Sequence, residues 1–283
     1  MVAVHLVRFV TPKGVLLNGY WIGALRPKVV IVWVHGLGSS MFSKQEIARL
    51  LARDLTAVLM FNNRGHDKVA SVQTKKGKYV KAGAAHERFT DCVDDIDGAI
   101  RFVRKTGAKE IYLAGHSTGC QKSIYWAHKR KGRGVKGIIL LAPVSDWAAE
   151  VKRSGRRKVE RASTIARSLV RRNSKHSLLP EKSWHEVLDA QRFLNLYSPD
   201  STEELFPYAQ PKKLPRIFRS IRKPVLILWA DRDEFADRSS KEITTWFGKH
   251  LRRGKVVSVP RVKHSFKGGE KLVAREVQKF LKH

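Results

Sequence analysis

Cysteine is nearly absent from this chain. Of 283 residues only Cys92 and Cys120 carry a thiol, and their separation matches no redox or metal-ligand spacing. A disulfide-built secreted scaffold is thereby excluded; both thiols are expected to be small buried apolar side chains, and the compartment reducing and cytoplasmic. Long apolar runs are missing too: nothing approaches the roughly 18 residues that a membrane-spanning helix needs. Met1–Val10 sets His5 and Arg8 inside a short apolar alternation, which is not the layout of a signal peptide. No internal repeats stand out. Negative charge is scarce, with 25 Asp and Glu against 56 Lys and Arg and a formal charge of +31. Such a field attracts anionic ligands, nucleic acid or acidic membrane surfaces and says nothing about fold. Its plain reading is a solvated surface from a basic proteome; a role in binding anions is the alternative.

What is present is enough for a sizeable core: 42% hydrophobic residues and 7 Trp. Val2–Val10 and Val15–Leu25 alternate as two strands around the turn Thr11-Pro12-Lys13-Gly14. Val29–Val34, Ala57–Phe61, Glu110–Ala114, Gly137–Pro143, Pro224–Ala230 and Lys255–Pro260 then read as short strands, most of them buried on both faces. Helices fill the intervals. One runs to about Asp54 behind a capping box of Ser43 and Glu46; another carries Val93, Ile96, Ile100 and Val103 on one face and stops at Gly107. Others cover Cys120–Lys131, the segment opened by a Ser239/Glu242 box, and Glu270–Leu281. Asn62–Arg88 reads as a long basic connection, and residues 144–222 as an insertion after the sixth strand. Within that insertion Lys152–Lys175 holds ten Lys or Arg and the single acid Glu160. Alternation of buried strands with amphipathic helices predicts an α/β fold, an eight-stranded mostly parallel sheet covered on both faces. Residues 1–143 and 223–283 would form its core, and 144–222 a lid.

Gly115-His116-Ser117-Thr118-Gly119 follows the strand ending at Ala114 and opens a helix. Gly-x-Ser-x-Gly at a strand-to-helix turn is a nucleophile elbow, in which the glycines leave room for a crowded turn and the serine oxygen sits at a helix N-terminus. Other chemistry-bearing groups fall at other strand ends, where open α/β sheets gather their ligands: His35-Gly36-Leu37 after Val34, Asp231 and Asp233 after Ala230, and His264 after Pro260. A serine hydroxyl needs a base, and the base an orienting carboxylate. Ser, then Asp, then His is the chain order that α/β-hydrolases use.

With those residues in place the sequence resembles the α/β-hydrolase superfamily over nearly its whole length. It is similar in particular to the branch called domain of unknown function 1749, which includes fungal siderophore esterases. Gly115–Gln121, Arg192–Pro199 and Trp229–Phe235 carry that likeness, and Lys152–Lys175 adds nothing to it. The family's loop pattern Gly/Ser-x-x-Asp-x-x-Val-Pro, laid on Ala230, implies Asp233 rather than Asp231 as the orienting acid, with Asp237 where proline is usual. The same resemblance implies His264, in Lys263-His264-Ser265-Phe266, as general base. The backbone N–H groups of Leu37 and Thr118 take the positions of an oxyanion hole.

A serine nucleophile excludes the dehalogenases and epoxide hydrolases that use aspartate at this place. Acyl chemistry on esters, thioesters or activated amides remains, with no cofactor and no metal needed, and a carboxylate-bearing ester would suit the basic lid. His116 is expected to pack beneath the turn, His35 to brace the oxyanion loop and Arg64 to fix its own loop. His66 and His86 lack a metal-ligand spacing. Two other readings stay open: a catalytically silent ligand-binding protein on the same scaffold, and a nucleic-acid or anionic-membrane binder using Lys152–Lys175. For the latter, a basic stripe with few interleaved aromatics predicts salt-sensitive contact rather than specific nucleic-acid readout. Substrate identity and oligomeric state do not follow from these residues.

Overall fold

The computed structural model describes residues 4–282, so the expected strand start at Val2 lies outside the described residues. The main sheet has eight strands in the order β1-β2-β4-β3-β7-β8-β9-β10. These are β1 (Val4–Val10), β2 (Leu16–Gly23), β3 (Val29–Val34), β4 (Thr56–Phe61), β7 (Glu110–His116), β8 (Gly137–Leu141), β9 (Val225–Ala230) and β10 (Gly254–Val259). β1 with β2 and β2 with β4 pair antiparallel; every other neighbouring pair is parallel. The expected α/β architecture is therefore the one found.

Period-two alternation splits the core into two layers. Along β3, Val30, Val32 and Val34 face α2 (Cys92–Arg104), α3 (Thr118–Arg130) and α8 (Ser240–His250), which contribute Ile96, Ile100, Ile124 and Phe247. Ile31 and Trp33 face the other way, toward α1 (Gln45–Leu51) and α9 (Glu270–Leu281) through Ile47, Leu51, Val273 and Val277. Both faces of a parallel strand are buried, which is why these strands read as unbroken apolar runs.

The chain reverses its winding between β3 and β7: after β3 it steps to β4 on one side, then returns to place β7 on the other. Crevices at the carboxyl ends of strands open at such a switch point. It lies between the strand that ends in His35-Gly36-Leu37 and the strand that ends in Ser117.

Two local expectations fail. The long connection is not structureless: it folds into a hairpin of β5 (Ala70–Gln73) and β6 (Tyr79–Ala82), joined antiparallel. The two strands are short, with only Val72 and Ala82 buried. Ser43 does not cap α1. Lys44 takes the N-cap position with φ 60° and ψ 27°, so Glu46 falls one residue short of the reciprocal place, and the Ser43 hydroxyl is buried with no hydrogen-bond partner among the described residues. The Ser239/Glu242 box does form, with both reciprocal bonds.

Residues 144–222 hold α4 (Asp146–Ser154), α5 (Arg156–Arg171), α6 (Ala190–Tyr197) and α7 (Arg216–Arg219). Val159, Ala162 and Ala166 of α5 pack with Trp184, Phe193, Leu196 and Tyr197 into a small core of their own. The arginines of α5 lie on its exposed face.

Candidate active site

Ser117 sits between β7 and α3 at φ 55°, ψ −127°, a backbone conformation that only a tightly determined turn sustains. Its N–H donates to the Leu141 carbonyl at 3.0 Å, and its carbonyl accepts from Cys120 at 2.8 Å. The flanking glycines are required by close approach: a Cβ on Gly115 would run into the Gly119 carbonyl, and one on Gly119 into the carbonyl of Val34 at the end of β3. Cys92 and Cys120 are buried free thiols, as expected.

The structure brings Asp233 and His264 together and leaves Asp231 exposed. His264 Nδ1 lies 2.7 Å from Asp233 Oδ2. The other Asp233 oxygen accepts the Phe235 N–H at 3.0 Å, so both oxygens hold the carboxylate in orientation. His264 is fixed on three further sides. Its N–H donates to Glu234 Oε2 at 2.9 Å, its carbonyl lies 2.9 Å from His116 Nε2, and its ring meets Phe235 edge-on at 4.7 Å. Burial, with the neighbouring His264 and Lys44, holds His116 well below the usual imidazole range. His116 is thus a neutral ring that donates to the His264 carbonyl. Asp237, the departure from the loop pattern, pairs with Arg238 at 2.8 Å.

Gly36 presses on the serine, for a Cβ there would stand 2.9 Å from Ser117 Cβ and 3.1 Å from the His116 carbonyl. His35 braces this loop: Nδ1 bonds the Gly36 carbonyl at 2.9 Å and Nε2 accepts the Asn63 N–H at 3.2 Å. Burial beside Lys122 lowers the His35 pKa to about 3, so the ring is neutral. Leu37 is half-buried on the cavity wall, and Thr118 is buried at the start of α3.

These groups border a cavity of about 310 Å³ that contains Ser117, His264, His116, Gly36 and Leu37. Its remaining wall comes largely from residues 144–222, through Asp146, Glu150, Arg153, Glu186 and Tyr197. Sequence reasoning gave none of these five a role in the site, although Tyr197 falls within the Arg192–Pro199 stretch that carries the family likeness. Arg153 bridges Glu150 at 2.6 Å and Glu186 at 2.7 Å, and the Tyr197 hydroxyl donates to Glu186 at 2.7 Å. Asp146 accepts the Gln121 amide at 2.7 Å. Burial, with Glu203 and Glu204 nearby, pushes its pKa well above the ordinary carboxylate value.

Behind the elbow lies an ion cluster that the sequence does not announce. Lys122 of α3 meets Glu87 at 2.6 Å, Glu87 meets Arg192 of α6 at 3.0 Å, and Arg192 meets Glu203 at 2.5 Å. All four side chains are at most 3% exposed. Arg64 is committed to its own surroundings as expected, bonding Asp95 at 2.7 Å and Asp94 at 2.6 Å. His66 and His86 stay apart, the first on the Asn63 carbonyl and the second on Asp189.

No curated protein matches the sequence. A family model described as a protein of unknown function, DUF1749, matches residues 82–254. Among solved structures the chain is similar to the esterase Pf2001 of Pyrococcus furiosus, at 17% identity and TM-score 0.62 over 99% of this chain and 91% of that one. It is similar also to Est1E from Butyrivibrio proteoclasticus, solved with ferulic acid bound, at 19% identity and TM-score 0.62 over 96% and 97% of the two chains. Dienelactone hydrolase from Anabaena variabilis aligns at 14% identity and TM-score 0.58 over 100% and 98%. The shared feature is the α/β-hydrolase fold.

Proposed function

Given that the chain belongs to the DUF1749 family, we propose that it is a serine hydrolase that cleaves a carboxylic ester or thioester through Ser117, His264 and Asp233. The observation that carries this reading is the 2.7 Å contact between His264 Nδ1 and Asp233 Oδ2 at the edge of the cavity that holds the left-handed Ser117. With the Nδ1 proton directed at the carboxylate, Nε2 keeps its lone pair for the serine.

In the first half-reaction Ser117 Oγ bonds to the carbonyl carbon while its proton passes to His264 Nε2. The carbonyl oxygen becomes an oxyanion, held by the N–H groups of Leu37 and Thr118; a donor of this kind is worth about 3–4 kcal/mol. Asp233 remains ionised and steadies the imidazolium. Collapse breaks the bond to the alcohol or thiol, which leaves with the proton from Nε2. Water then repeats the sequence on the acyl-enzyme and frees the acid. Residues 144–222 serve as the cap over the site. The formal charge of +31 favours the approach of anionic esters.

Hydrolysis of short p-nitrophenyl esters, with Ser117→Ala as control and a fluorophosphonate as label, tests the assignment. Turnover and labelling that depend on Ser117 support it. Equal turnover in both proteins, or no labelling of Ser117, rejects it.

A further inference from the structure

Most of the charge around the Ser117 cavity is closed off by protein partners. Each of the four oxygens of Glu150 and Glu186 already accepts a hydrogen bond: Glu150 from Ser154 and Arg153, Glu186 from Arg153 and Tyr197. Arg153 is spent on those two carboxylates, and Asp146 accepts the Gln121 amide. Lys44 is different. It lines the same cavity, yet its ammonium makes no ion pair or hydrogen bond among the described residues. Glu270 and Glu234 are the carboxylates that act on it, from beyond ion-pair distance, and one oxygen of Glu234 is occupied by the His264 N–H.

The position of Lys44 is built into the backbone. Its left-handed conformation displaces the start of α1 by one residue from the Ser43 cap that the sequence would otherwise favour. A lysine in that region is strained by about 1 kcal/mol or more. Burial lowers its pKa and outweighs the opposing pull of Glu270 and Glu234. A single ammonium, with no guanidinium free beside it, suits a monoanion better than a phosphate dianion, which draws on several converging donors.

We propose that Lys44 anchors a free carboxylate on the substrate, so that the site takes short esters or thioesters carrying a second, ionised acid group. This assignment rests on the reading of Ser117 as nucleophile. A cavity of about 310 Å³ is at the small end for ligand sites, which restricts the chain between the scissile carbonyl and the carboxylate. The global positive field acts on any anion at a distance and is nearly unchanged by losing one of 56 basic residues; the Lys44 contact is local and is lost with the side chain.

The test compares kcat/KM within two matched pairs. Mono-p-nitrophenyl glutarate against p-nitrophenyl pentanoate places the charge in the acyl part, and 4-acetoxybenzoate against phenyl acetate places it in the alcohol part. The protein is expected to favour the charged member of at least one pair by about tenfold or more. Lys44→Met should bring that ratio close to one and Lys44→Arg should keep most of it; Lys44→Gln replaces the methionine variant if that one does not fold. A ratio at or below one in both pairs, or a ratio that survives loss of the ammonium, overturns the assignment. Neutral esters keep the two readings apart. If they are turned over in a Ser117-dependent way and no charge preference appears, Lys44 falls and the hydrolase stands. If no ester is turned over at all, both fall.

Discussion

Replacing Arg192 with methionine removes one member of the buried ion cluster and little volume. In the native chain Arg192 lies between Glu203 at 2.5 Å and Glu87 at 3.0 Å, with Lys122 against the far side of Glu87. Two cations face two carboxylates, so the cluster is balanced. Arg192→Met leaves two buried carboxylates sharing one ammonium. Breaking a buried pair from one side typically costs about 3–5 kcal/mol, because a charge is left without compensation. For a domain of this size that corresponds to a fall in Tm of about 10 °C.

The pH dependence distinguishes this mechanism from a packing defect. Burial already raises the Glu203 pKa, while Lys122 and Arg192 outweigh burial at Glu87 and lower it. Without the guanidinium both carboxyls move upward, so the folded variant binds protons more tightly than the unfolded chain. A raised folded-state pKa contributes stability that is present at low pH and lost as pH rises through it. The deficit of Arg192→Met relative to the parent should therefore be largest near pH 8 and shrink near pH 5. Urea unfolding followed by tryptophan fluorescence at the two pH values measures it, and adding Glu203→Gln should recover part of the loss at pH 8. A deficit below about 1 kcal/mol, or one that is flat with pH, would refute the account of the cluster.

Glu204 offers a second titration: burial, opposed by the Ser145 hydroxyl and Lys213, raises its pKa from 4.5 to about 7. Glu204→Gln should raise Tm by an amount equivalent to about 1–3 kcal/mol at pH 8 and change it little at pH 5. Gly36→Ala puts a methyl 2.9 Å from Ser117 Cβ, so kcat on a p-nitrophenyl ester should drop about tenfold or more through displacement of the serine, with the far-ultraviolet circular dichroism unchanged. Ser239→Ala removes the reciprocal cap of α8 and should lower unfolding free energy by about 1 kcal/mol without altering kcat.

The framework was legible because its signals are local. Each parallel strand is a short apolar run between turn residues, and Gly115–Gly119 states its geometry in five positions. The pairing of Asp233 with His264 also followed, since both sit just past a strand whose end could be read; the loop pattern, not the strand itself, separated Asp233 from Asp231. Failures came where long-range contacts override local chemistry. Ser43 has a good capping pattern with Glu46, but the chain spends the turn on seating Lys44 instead. The hairpin of β5 and β6 has strands of only four residues with one buried position each, too short a pattern to mark a strand. Lys122 is one of 56 basic residues and Arg192 opens a stretch that carries the family likeness, but nothing near either in sequence says that their partners are Glu87 and Glu203.

That cluster also bears on how the proposed cap works. From Arg192 of α6 the contacts run through Glu87 to Lys122, whose ammonium donates to Asn63 at 3.1 Å. The Asn63 N–H bonds His35, and His35 bonds the Gly36 carbonyl beside Ser117. Further ties join the same insertion to the sheet: the Asp189 N–H donates to the Ala85 carbonyl at 2.9 Å, and Lys152 donates to the Ala236 carbonyl at 2.6 Å in the loop that carries Asp233. Opening residues 144–222 as a rigid flap would break the buried ion pair between Arg192 and Glu87, at a cost far above thermal energy. These ties support a reading of the proposed cap as a fixed wall of the cavity. On the proposed reading, selection among esters falls to the side chains already in place on that wall and on the loop opposite, where Lys44 makes no ion pair among the described residues.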